Sequence, residues 1–170
     1  MPTEMESRVL EALSAIEIEP ELARQIEDWG TEAVTVACEA ALGTYVGLRP
    51  KIRTNAIALL GHVNHPQARE TVPMLVNDSD RDVAIYAMRA AGRQRNEAVV
   101  EKLGRVLEAS DSAPLLAAEA LEALREVGSS PARARVAAYS AASPERLPHR
   151  GSAAVNAVLR RAAAAAERDR

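Results

Sequence analysis

The chain has 170 residues, enough for one domain with a substantial core and short for two, so the sequence predicts a single domain over residues 1–170. Apolar residues make up 48% but aromatics only 2%, with no Phe, and the formal net charge is −3; this balance argues against a basic nucleic-acid binder and against an aromatic-walled cofactor pocket. What remains is Ala, Leu, Val and Ile, the side chains with which helices form and pack closely.

The charge is uneven along the chain. Residues 1–50 hold ten Asp or Glu against three Arg, a balance of −7, and residues 51–170 hold fourteen against eighteen Lys or Arg, a balance of +4. Such a chain has the means to associate weakly head to tail with its own copies, although solvated helix faces produce the same pattern.

The amino terminus, MPTEMESRVLEAL, starts acidic and contains no apolar run of signal or membrane length. With Cys38 as the single cysteine, no intrachain disulfide is possible, and a cytoplasmic protein without a membrane segment is expected. A first helix is predicted in SRVLEALSAI, beginning at Ser7. The longer piece EPELARQIEDWG, beginning at Glu19, separates it from a second helix whose inward positions are Ala33, Ala37, Ala40 and Ala41.

From Pro50 onward the chain repeats itself. A shift of 31 residues places Ile52, Ala56, Ile57, Leu60 and Gly61 on Val83, Ala87, Met88, Ala91 and Gly92. The spacing i, i+4, i+5, i+8 is one helix face, here closed by a glycine expected to take a left-handed turn. In the same register Ala68, Val72, Leu75 and Val76 fall on Val99, Leu103, Val106 and Leu107. One unit is therefore a helix, a turn, a second helix and an acidic turn. Leu116, Ala120, Leu121 and Leu124 begin a further copy, whose second helix has Ala132, Val136 and Tyr139 inward. GSAAVNAVLRRAAAAAERDR, beginning at Gly151, closes the chain as a lone helix.

Punctuation falls where this division needs it. Pro50, Pro66, Pro114 and Pro131 stand at or near helix starts, where a missing N–H costs nothing, whereas Pro73 falls inside a helix. The stretches Asn77 to Asp80 and Ser110 to Ser112 supply capping side chains.

A helix pair of this size cannot bury its own apolar face, so neighbouring pairs must stack around a shared core. The expected fold is all-α, a right-handed α-solenoid of about four helix pairs plus a C-terminal capping helix, with the second helices along the concave side. Ile52 and Arg53, Ala56, Leu60 and Gly61, a Pro-containing turn, Leu75, and Asp78 with Asp80 together resemble HEAT repeats of the short bacterial type found in phycobilisome lyase relatives. The resemblance is strongest over residues 50–128. Ala84 and Ala117 stand where its arginine would recur.

Candidate chemistry is sparse. His62 and His65 with Glu70 lack a third nitrogen or sulfur donor nearby, and His149 lies in a predicted loop, so no metal and no cofactor is assigned. Cys38 has no His or Lys beside it in sequence, and the glycines are scattered rather than gathered into a phosphate loop. Iron-binding HEAT proteins of the deoxyhypusine hydroxylase kind use His-Glu pairs, and this chain has none. A non-enzymatic role is expected.

Arg133, Arg135, Arg146, Arg150, Arg160 and Arg161 make the carboxy-terminal part basic, but the second helices are interspersed with acids. Protein recognition is the leading expectation. Glu39, Glu70, Met74, Glu101, Arg105 and Glu108 occupy matching outward positions of the second helices and are the candidate partner-binding residues. Between them Cys38, Pro73, Gly104 and Ala137 form a row of small residues expected to let a partner approach the backbone. The resemblance also leaves a bilin lyase-like or isomerase-like activity as the alternative, and a nucleic-acid-binding solenoid behind it.

Overall fold

A computed structural model describes residues 2–14, 18, 20–109, 113–142 and 147–168. The helices are α1 (Glu4–Ala12), α2 (Pro20–Asp28), α3 (Thr31–Leu42), α4 (Pro50–Leu60), α5 (Pro66–Leu75), α6 (Arg81–Arg93), α7 (Val100–Glu108), α8 (Pro114–Val127), α9 (Ser130–Ala141) and α10 (Ala153–Arg168). Short 3-10 turns occur at Glu97–Val99 and Pro148–Gly151, and among the described residues there is no strand. The fold is all-α. Its contacts gather into two compact units, Met1–Gln94 and Arg95–Arg170.

In the first unit the first helices α4 and α6 pack on one another, the second helices α3 and α5 do likewise, and α3 and α5 pack on the following α4 and α6. The repeated apolar face is the core: Ala56, Ile57, Leu60, Ala87 and Ala91 are wholly inaccessible, as are Ala33, Ala37, Ala68 and Val72. Removing these faces from water at about 25 cal/mol per Å² supplies the main drive for stacking.

Helix α2 lies inside the piece left unassigned between the first two predicted helices. Its Ala23 and Ile26 are buried, and it packs on α3 and α4. The Glu27 carboxylate accepts the Asn64 amide, and Arg8 of α1 stacks over the Trp29 ring at 3.9 Å, both holding the C-terminal end of the segment.

Polar groups set the register between pairs. The Arg53 guanidinium donates to the Ala41 carbonyl at 3.0 Å and to Asp78 at 2.8 Å, tying the end of α3 to the turn after α5. Asp78 in turn accepts the Asp80 amide, and Asp80 caps α6 through the Asp82 and Val83 amides. Burial raises the Asp78 carboxyl, but the Asp80 amide and Arg53 outweigh it and hold the acid below its ordinary range. Buried Asn55 and Gln94 donate to the Leu13 and Leu60 carbonyls.

Pro50, Pro66 and Pro114 each open a helix, and Pro131 lies in the first turn of α9. Pro73 lies buried within α5. The left-handed expectation for two glycines is corrected: Gly61 ends α4 with φ −63°, and Gly92 lies within α6. Gly61 is required by proximity, since a Cβ there would stand 2.9 Å from the Ala90 Cα. The glycines that do adopt positive φ are Gly30, Gly43, Gly47 and Gly128, the second and last of these ending α3 and α8.

The second unit repeats the two-layer scheme. Helices α8 and α10 pack together, α7 packs on α8 and α9, and Ala120, Leu121, Leu124 and Ala132 are inaccessible. The Glu122 carboxylate, held below its ordinary range chiefly by the Arg125 hydrogen bond, also accepts Arg161 of α10. The capping stretch Ser110 to Ser112 and Arg146 lie outside the described residues.

Candidate interaction surface

In the first unit the surface is made by α3 and α5, which lie side by side. The Thr35 hydroxyl meets Gln67 at 2.9 Å across them. Glu70 and Met74 project from α5 into solvent, and Met74 is 65% exposed. An unbranched thioether left in water on a helix whose Ala68, Thr71, Val72 and Leu75 are buried is the clearest unsatisfied apolar group on this face.

Glu39 is placed differently. It is half-buried on α3, and the Tyr45 hydroxyl donates to its carboxylate at 2.9 Å while also approaching Glu6. Burial, followed by these two acids, raises the Tyr45 phenol well above its ordinary range. Tyr45 therefore stays a donor, and Glu39 reaches solvent only in part.

In the second unit Glu101, Arg105 and Glu108 are exposed on α7. Arg135 of α9 forms ion pairs with both Glu101 and Glu108, the latter at 3.1 Å. The structure thus joins two of the candidate acids through a cation of the neighbouring helix, and Arg105 remains beside them with its side chain in solvent. A cleft of ≈390 Å³ opens at this point, walled by Leu107, Leu147 and Ala138 and bordered by Glu108 and Arg135.

Tyr139 lines the same cleft, 4% exposed, with its ring stacked on His149 at 5.9 Å. His149, expected in a loop, is buried and donates from Nε2 to the Leu107 carbonyl at 3.1 Å. Burial raises the Tyr139 phenol, opposed by Arg150, so the hydroxyl is no source of a phenolate near neutrality.

The row of small residues does not expose backbone as expected. Cys38, Pro73 and Gly104 are buried, and the Arg135 guanidinium covers Gly104, where a Cβ would meet its Nε at 3.1 Å. Only Ala137 faces solvent. Burial pushes the Cys38 thiol up, against a Thr71 hydrogen bond, which keeps it protonated and poorly nucleophilic.

His65 caps α5, its Nδ1 accepting the Gln67 amide at 3.2 Å. Among the described residues no three His, Cys, Asp or Glu side chains are grouped to hold a metal ion, and no helix is long and apolar enough to cross a membrane.

Residues 46–124 match the family model described as HEAT repeats. No curated protein and no solved structure matches the chain. The matched stretch contains α4 through α6 and α7 with most of α8, the part in which the internal repeat is plainest.

Proposed function

We propose that this HEAT-repeat protein is a non-enzymatic cytoplasmic scaffold or adaptor that holds a protein partner on the faces of its second helices, the side assigned to the concave groove of such repeats. The observation that carries this reading is Met74, exposed and adaptable on α5 among charged neighbours. In the proposed mode Met74 receives an apolar anchor, with Glu70 on the same helix setting orientation and selectivity more than affinity, and in the second unit Glu101, Arg105 and Glu108 on α7 offer a charged face of their own. Glu39 contributes at the margin through its remaining exposed edge.

The reading is tested by affinity capture from the native host with the intact chain as bait. Met74→Ala combined with Arg105→Glu is expected to lose the partner with helicity and melting unchanged, because both side chains point away from the core. Lys51→Glu, exposed on the first helix α4, is expected to retain it. Capture that survives the double variant and is lost on Lys51→Glu would place the working surface on the first helices.

A further inference from the structure

Second helices elsewhere in this fold pack directly on the next first helix, α3 on α4, α5 on α6 and α7 on α8. Helices α9 and α10 depart from that rule. Both pack on α8 far more than on one another, and a groove of ≈420 Å³ is lined by both. Its floor is Leu124 near the end of α8. Its walls are Val136 and Ala137 of α9 and Leu159, Ala162 and Ala163 of α10.

The groove is predominantly apolar, but its charged lining is of one sign, Arg125 and Arg133. Arg125 is already paired with Glu122, which also holds Arg161. Arg133 is exposed and has no acidic partner among the described residues. The alanines let a helix axis come close, within the 8–10 Å typical of packed helices, and the wall from Arg133 to Ser140 runs about 10 Å, two turns at 1.5 Å per residue.

We infer that this groove docks an amphipathic helix of a partner protein, with aliphatic side chains at i, i+4 and i+7 entering between α9 and α10 and an acidic flank paired with Arg133. The inference rests on the protein-binding reading above and gives the partner a chemistry. Charge complementarity selects the acidic flank. A second copy of the chain is a poorer occupant, because the large apolar side chains exposed among the described residues, Val46 in the turn before α4, Met74 on α5 and Leu115 on α8, stand singly and form no helical stripe.

The test uses the full chain and two labelled synthetic helical peptides of about 16 residues, long enough to hold a marginal helix. Both carry Leu at the stated spacing, one flanked by Glu and the other by Lys, and binding is followed by fluorescence anisotropy. The acidic peptide is expected to bind at least about tenfold more tightly than the basic one, with the preference shrinking as salt rises. Ala137→Trp, which fills the groove from an exposed position, and Arg133→Glu are each expected to weaken it by about tenfold or more without changing the melting midpoint.

Equal binding of the two peptides, or unchanged binding to Ala137→Trp, would overturn the inference. So would a dimer of the free chain that Ala137→Trp dissolves, which would assign the groove to a second copy. Loss of the native partner on Met74→Ala together with absent peptide binding would remove the groove and leave the scaffold reading standing. Peptide binding at the groove with a native partner indifferent to Met74 and Arg105 would do the reverse.

Discussion

Gly61 lies against Ala90: a Cβ at position 61 would fall 2.9 Å from the Ala90 Cα and 3.1 Å from its Cβ. The end of α4 and the C-terminal part of α6 therefore touch through backbone, with no flexible side chain between them to yield. Gly61→Ala must separate the two helices or bend one of them. A loss of roughly 1–3 kcal/mol is expected, the usual cost of overpacking, read as a lower denaturant midpoint. An unchanged midpoint would mean that α4 and α6 do not pack this closely.

Ala87 is wholly inaccessible at the repeated inward position of α6. Ala87→Asp places an unpaired carboxylate in the core and should cost about 3 kcal/mol or more, observed by circular dichroism during heating. Ala134→Asp, on the exposed side of α9, is the matching surface change and should move the midpoint little.

Asp78 and Glu122 are both held below the ordinary carboxylate range, Asp78 by the Asp80 amide and Arg53 against its burial, Glu122 first by Arg125. A depressed folded-state value means that each contributes stability above the unfolded carboxylate pKa and loses it as pH falls through the folded value. Melting midpoints should therefore decline on the acid side of the unfolded carboxylate range. Asp78→Asn should lower the neutral midpoint and flatten that decline; an acid limb of unchanged slope would show that the Arg53 pair carries no linkage.

Arg135 offers a contrast. It pairs with two acids, but Glu101 is 70% exposed and Glu108 64%, so water and salt screen both bridges. Arg135→Ala is expected to cost only about 0–1 kcal/mol for each pair. Its larger effect is geometric, since it uncovers Gly104. A loss well above that range would make the Glu–Arg–Glu cluster a structural element.

The opposite charge of the chain's two ends gives a further expectation. Light scattering should report a mass that grows at low salt and returns toward the monomer as screening shortens the reach of exposed charges to about 8 Å near physiological ionic strength. A monomer at every salt concentration would remove head-to-tail association.

The helix pairs were legible because their signal is local and repeated. Ile52, Ala56, Leu60 and their counterparts Val83, Ala87 and Ala91 are all buried as the 31-residue register requires. Helix α2 was legible in principle, since Pro20 opens it and Leu22, Ala23 and Ile26 follow at helical spacing, but no second copy of it exists to draw attention. The small-residue row misled because the cover over Gly104 comes from Arg135, a residue one repeat away whose side chain folds back across α7. His149 escaped notice for a similar reason. Its burial depends on Tyr139 and the Leu107 carbonyl, contacts that no spacing along the sequence records.

The second-helix surface is tested most directly by site-specific photo-crosslinking in the native host. A benzophenone side chain is placed at Met74 of α5 in one variant and at Leu115 of α8, 40% exposed on a first helix, in another. The expected result is a discrete protein adduct from position 74, absent from position 115 and lost when Glu70→Lys, on the same helix, is added. Adducts from position 115 with none from position 74 would contradict the assignment of partner binding to the second helices.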